Sequence, residues 1–124
     1  MLQQREYKRG QIWIANLSGG IGSEQNLTRP VIVVQNNIAN KFSPTITIVP
    51  MTKQDKKWLP THVKLHKTMC LSSLSTALVE QVTTISKERL KNYLGEIEFN
   101  EMIEIERGLM IQLGIVETKN KVCV

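Results

Sequence analysis

Arg29 is the residue whose type and place most invite chemistry. It stands between a glycine-bearing stretch, Ser18-Gly19-Gly20-Ile21-Gly22-Ser23, and the apolar run Val31-Ile32-Val33-Val34. A guanidinium at the mouth of a buried strand can hold a phosphate by paired hydrogen bonds, or close a structural ion pair with Glu24. Thr52 ends a different apolar segment and can donate a hydroxyl hydrogen bond or serve as a turn residue. Lys53, Lys56 and Lys57 surround Trp58, with Lys64 beyond. Bases stack on exposed aromatic rings while lysines neutralise phosphate, so this segment can grip a single strand; Trp58 can equally pack on the fold or at a dimer contact. His62 and His66 would share a face of a strand, but without cysteine or carboxylate support they read as a packed or hydrogen-bonded strand residue and an exposed histidine rather than a metal site. The chain has no phosphate-binding glycine loop, no dinucleotide fingerprint and no cysteine pair at zinc spacing, and neither metal nor cofactor is expected.

The composition fits those candidates. The 124 residues suit one domain over 1–124, with a core over about 8–115 and frayed termini. Hydrophobic residues make up 41% and charged residues 22%, enough for a packed core and against wholesale disorder. The apolar runs are far shorter than the roughly 18 residues of a membrane span, and no apolar leader opens the chain. Cys70 and Cys123 read as free thiols, in keeping with a reducing cytoplasm. Through Lys67 there are ten basic residues and three acidic ones, a balance of +7; the remainder carries six against eight, a balance of −2. One cationic half invites an anionic partner such as RNA, DNA or an acidic peptide.

The elements that must position these residues are mostly strands. Gly10 to Leu17 alternates, with Ile12 and Ile14 on one face and Trp13 and Ala15 on the other. Pro30 opens a second strand, continuously apolar through Gln35 and hence buried on both faces. Asn36, Asn37 and Asn40 mark a turn. Thr45 to Val49 alternates as a strand that Pro50-Met51-Thr52 ends, and Thr61 to Leu65 and Leu74 to Val82 follow. Ser86 reads as the N-cap of a short helix from Lys87 to Leu94 that Gly95 stops. Asn100 caps a last helix, about Glu101 to Leu113, which buries Met102, Ile105, Leu109 and Leu113 and ends at Gly114. Early strands followed by helices predict an α+β chain on a small, curled antiparallel sheet.

In order along the chain, Arg9-Gly10-Gln11-Ile12-Trp13-Ile14-Ala15-Asn16-Leu17, Gly22-Ser23-Glu24-Gln25 and Thr28-Arg29-Pro30-Val31-Ile32-Val33-Val34-Gln35-Asn36 resemble the opening strands and signature loop of the MazF/PemK family of bacterial toxins. Asn40 to Thr45, Leu59-Pro60-Thr61-His62-Val63, Glu80 to Ile85 and Ile111-Gln112-Leu113-Gly114 continue the likeness, which covers roughly Lys8 to Ile115. Asn26-Leu27 departs from the Gly-Gly pair of close relatives. The resemblance implies an SH3-like barrel with a C-terminal helix, assembled as a homodimer. It implies a metal-independent endoribonuclease that cuts single-stranded RNA, chiefly mRNA, leaving 2′,3′-cyclic phosphate and 5′-hydroxyl ends. It further implies a MazE-like acidic antitoxin that occupies the RNA groove. The family's catalytic arginine falls on Arg29 and its catalytic threonine on Thr52, while Glu24 matches an acidic position drawn into the site. Ser23, Gln25, Thr28, Lys53, Lys56, Lys57, Trp58 and Lys64 are the expected RNA contacts. The alternatives on this fold are a gyrase poison and a non-catalytic RNA-binding protein. The chain ends Lys121-Val122-Cys123-Val124, not in the Trp-Gly-Ile of the gyrase-directed relatives.

Overall fold

The computed structural model describes residues 5–18, 28–53, 58–65 and 75–117. The described residues form seven strands: β1 (Gln11–Asn16), β2 (Thr28–Val33), β3 (Thr45–Thr52), β4 (His62–Leu65), β5 (Ser75–Leu78), β6 (Thr83–Ser86) and β7 (Leu90–Glu96). Helix α1 (Asn37–Phe42) lies between β2 and β3, and α2 (Phe99–Gln112) follows β7. Neighbouring strands are antiparallel in the order β4-β5-β3-β2-β1-β7, and β6 also pairs with β3. The predicted curled antiparallel sheet is therefore present. Among the described residues its end strands, β4 and β7, do not pair, so the sheet stays open.

Period-two patterning sorts the side chains into two cores. Ile12, Ile32, Val49, Met51, Val63, Leu65 and Ala77 face α2, whose Ile105 is wholly buried among them. Trp13, Ala15, Val31, Val33, Ile46, Ile48 and Leu90 form the second cluster, on the other face. The run Val31 to Val34 thus supplies both faces, as its unbroken apolarity predicts. Trp13 is a core residue, packed against Tyr7 and Tyr93 with ring centroids 5.0 and 5.6 Å away.

Several local expectations give way to longer-range pairing. β2 starts two residues before Pro30, which lies opposite Ile14; pairing with β3 begins only at Val31. The Asn36-Asn37-Asn40 turn is instead α1, because the Asn36 side chain caps it by accepting from the Ala39 N–H at 2.9 Å. β3 does not end at Val49. It runs on to Thr52 because β5 takes over as its partner, Ala77 opposite Met51 and Thr76 opposite Thr52. The strand expected from Leu74 to Val82 stops at Leu78 in a 3₁₀ turn, Val79–Gln81, after which β6 continues along the same edge of β3.

The helix predicted from Lys87 to Leu94 is a single 3₁₀ turn, Lys87–Arg89, followed by strand β7. Ser86 does cap that turn, its hydroxyl accepting from the Glu88 N–H, but pairing of β7 with β1 from Gln11 to Ala15 overrides further helix growth. Gly95 accordingly lies in β7 opposite Ile12, where the register shifts, and stops no helix.

Helix α2 begins at Phe99, with Glu98 rather than Asn100 at the N-cap. Its end is as predicted: Gly114 adopts φ +76°, its N–H reaches the Ile111 carbonyl, and the Ile115 N–H reaches that of Met110. That pair of bonds is a Schellman motif, which needs the glycine. Met102 and Leu109 pack on the first core as expected, whereas Leu113 is 65% exposed because it already sits at the C-cap. Gly108 lets the helix approach Val79 closely; a Cβ there would lie 3.2 Å from Val79 Cγ2.

Candidate active site

The strand register assembles the site. Lys64 on β4 lies opposite Thr76 on β5, and Thr76 lies opposite Thr52 on β3. Val31 on β2 lies opposite Pro50; Arg29 stands two residues before Val31 and Thr52 two after Pro50, so both are on the face that Val31 and Pro50 share. Arg29 in turn lies opposite Ala15 on β1. Residues directly opposite in an antiparallel pair share a face. Thr52, Thr76 and Lys64 therefore form one rung, which Arg29 adjoins on the same face, the face turned away from α2. At about 4.8 Å per strand spacing the four strands span roughly 14 Å. Two cations flank two hydroxyls, an arrangement suited to an oxyanion.

Two neighbours flank this rung. Thr28, next to Arg29, is exposed at the start of β2 opposite Asn16. Lys53 follows Thr52 directly and is exposed. Among the described residues, the ion pairs are Arg9–Glu106 and His62–Glu80, so the Arg29 guanidinium is committed to no carboxylate there. Its possible partner Glu24, with Ser23, Gln25, Lys56 and Lys57, lies outside the described residues, as do His66, Cys70 and Cys123.

Trp58 is 63% exposed and so does not pack on the sheet. The segment that carries it is anchored just downstream. The Thr61 hydroxyl donates to Glu80 Oε1 and the His62 Nε2–H donates to Glu80 Oε2, both at 3.0 Å. His62 Nδ1 accepts from the Leu59 N–H, while the Leu59 carbonyl accepts from the His62 N–H at 2.9 Å. His62 is thus the hydrogen-bonded strand residue that its setting predicts. Burial pushes the Glu80 carboxyl up, but hydrogen bonds from its backbone, His62 and Thr61, with electrostatic attraction to the His62 ring, outweigh this and hold it below its ordinary value. Among the described residues no three His, Cys, Asp or Glu side chains gather to hold a metal ion.

Three contributors have no local signature. Thr76 joins the rung only through the β3–β5–β4 register. Arg89 Nη1 donates to the carbonyls of Asn16 and Ser18, fastening the end of β1 from 71 residues away. Glu80 anchors the Trp58 segment from the 3₁₀ turn that follows β5. A strand-pairing argument could have found Thr76; only the fold reveals the other two.

An open antiparallel sheet with α2 across one face and a cation–hydroxyl rung on the other is a small sheet protein built to meet an anion. The chain belongs to the PemK-like, MazF-like toxins of type II toxin-antitoxin systems, whose family model matches residues 8–113. It is 40% identical over 110 residues to Endoribonuclease MazF of Staphylococcus epidermidis, covering 87% of this chain and 92% of that protein. Among solved structures, an endoribonuclease from a mycobacterial species in complex with its cognate antitoxin is 26% identical. It superimposes with a TM-score of 0.74 over 90% of this chain and 99% of that one. MazF from Deinococcus radiodurans shares the fold at 21% identity, with a TM-score of 0.76 over 90% of this chain and 99% of that one. Among the described residues no helix is long and apolar enough to cross a membrane.

Proposed function

We propose that this toxin cleaves single-stranded RNA, chiefly mRNA, by attack of a ribose 2′-hydroxyl on the adjacent phosphorus. The P–O5′ bond breaks, leaving a 2′,3′-cyclic phosphate and a 5′-hydroxyl. The reaction needs no water. It needs in-line geometry, removal of the 2′-OH proton, protonation of the leaving O5′, and stabilisation of the charge on the phosphorane. The observation that supports this reading is that Arg29 and Thr52, both half-buried, share one face of the sheet near the start of β2 and the end of β3.

Arg29 stabilises the phosphorane charge with its fork of N–H donors, and Thr52 holds a non-bridging oxygen. A guanidinium is a poor proton shuttle, so its main role is electrostatic and its second is as general acid. Glu24 takes the 2′-OH proton. Ser23, Gln25, Thr28, Lys53, Lys56, Lys57, Lys64 and Trp58 hold the strand by phosphate contacts and base stacking. The same cationic face accepts the acidic segment of a MazE-like antitoxin, since a row of carboxylates repeats the charge of a phosphate backbone. The chain works as a cytoplasmic homodimer without a cofactor.

The test is cleavage of a long single-stranded RNA in excess EDTA. Discrete cuts bearing 2′,3′-cyclic phosphate are expected. A requirement for added metal, or ends bearing 3′-hydroxyl and 5′-phosphate, would overturn the mechanism.

A further inference from the structure

A second cationic feature lies at the opposite end of β3. A surface cavity of about 350 Å³ is lined by four cations, Arg5, Lys8, Lys41 and Lys87, against one acid, Glu6. It opens between the segment before β1, helix α1 and the 3₁₀ turn that follows β6. Ser86, beside Lys87, pairs with Thr45 at the start of β3, whereas Thr52 is at its end. Seven residue steps at about 3.3 Å put the cavity roughly 23 Å from the Thr52 rung.

The cavity is built rather than incidental. Its back wall is Asn40, 2% exposed, whose amide nitrogen donates to the Gln35 carbonyl and to Asn37 Oδ1, and whose Oδ1 accepts from Gln35 Nε2. The Asn40 carbonyl accepts from Lys87 Nζ, and that ammonium sits 5.5 Å from the Tyr7 ring centroid. Arg5 Nη1 donates to the Leu90 carbonyl, with its guanidinium 5.6 Å from the Trp13 ring. Lys87 and Arg5 are therefore held in place by neutral partners, and their remaining donors are left for a ligand. Among the described residues, none of the four cations is ion-paired.

We infer that this cavity binds the phosphodiester backbone of single-stranded RNA as an exosite, engaging substrate well away from the cut. The inference rests on the RNA-cleaving reading above. No aliphatic side chain lines the cavity, so an acidic peptide finds no seat for apolar anchors, whereas a sugar-phosphate unit meets ammonium, guanidinium and amide groups. Phe42, 74% exposed on α1 and carrying Lys41 5.5 Å from its ring centroid, offers a stacking surface beside the cavity. At about 3.4 Å per stacked nucleotide, a strand needs about seven nucleotides beyond the cut to bridge the two places.

The test uses the full chain and the double variant Lys8→Glu/Lys41→Glu, both exposed side chains outside the rung. Two RNAs share one cleavage motif: a short one of about six nucleotides and a long one of about 25, sized from the bridging distance. The double variant should raise KM for the long RNA at least tenfold with kcat unchanged, and leave the short RNA unaffected. Its slope of log affinity against log salt on the long RNA should fall by about 1.4, at roughly 0.7 per lost single-strand contact. Equal losses on both RNAs, or none on the long one, would overturn the exosite. So would RNA behaviour left intact alongside weakened binding of poly-glutamate, which would assign the cavity to an acidic peptide. Fluorescence anisotropy of the long RNA in an Arg29→Ala background reads the exosite without cleavage. Failure of the catalytic reading and failure of this one are thereby separated. If the double variant does not fold, Lys8→Gln alone replaces it, with the same length-dependent loss expected at smaller size.

Discussion

Removal of the Glu80 carboxylate should cost stability in proportion to the donors it strands. Glu80→Ala leaves the Thr61 hydroxyl and the His62 Nε2–H without their acceptor, at positions where Thr61 is 6% exposed and the His62 side chain 5% exposed. Each stranded donor costs about 1–3 kcal/mol, so a loss of about 3 kcal/mol is expected. Glu80→Gln differs in kind. Its Oε1 can accept from His62 while its amide donates to the Thr61 hydroxyl, which can turn to accept. Both contacts survive as neutral bonds, and the loss should be only about 1 kcal/mol. The wild-type advantage over Glu80→Gln must depend on pH in one direction. The folded carboxyl lies below its ordinary value of 4.5. Its stabilising contribution is thus complete above pH 4.5 and is lost as the pH falls through the lower, folded value. Urea unfolding of the three proteins at pH 7, and at intervals from pH 5 downward, reads both effects in the midpoint at constant m. A Glu80→Gln variant as unstable as Glu80→Ala, or a difference from wild type that grows on acidification, would refute this account of the anchor.

Other expectations follow from burial and exposure. Ile105→Ala empties a wholly buried site beneath α2 and should cost about 2–5 kcal/mol, while Leu113→Ala, at the exposed C-cap, should stay within about 0.5 kcal/mol. The same urea titrations check that contrast, although both leucine and isoleucine belong to one helical stripe in the sequence. Trp58→Ala should weaken RNA binding about tenfold, the equivalent of one stacked base, and leave single-turnover cleavage at saturation unchanged, as read by anisotropy and quenched-flow assays.

Much of this molecule is legible in its sequence where local chemistry and tertiary structure agree. Alternation marks β1 and β3, and the unbroken run Val31 to Val34 marks a strand buried on both faces. Gly114 marks the end of α2 because only a residue at ease with positive φ closes the Schellman motif. Legibility fails where a distant partner decides. Lys87 to Leu94 carries a cap and helix-compatible residues, yet the open edge of β1 takes it as a strand. Arg29 stands out by its place before an apolar run, but its sharing a face with Thr52, 23 residues further on, is a matter of register between strands. Thr76 reaches the same rung through β5, and nothing around it in the chain distinguishes it from a surface threonine.

In the proposed mechanism Arg29 acts on the reacting phosphate through its planar fork of donors. Single-turnover cleavage by Arg29→Lys, on an RNA whose cut site is mapped, tests it most directly. A lysine keeps the positive charge and a long flexible stem but cannot present two parallel N–H donors to the phosphorane. The rate should fall at least about 100-fold, the scale for loss of a preorganised oxyanion donor, with RNA affinity within a few fold of wild type. Cleavage by Arg29→Lys at close to the wild-type rate would contradict the account.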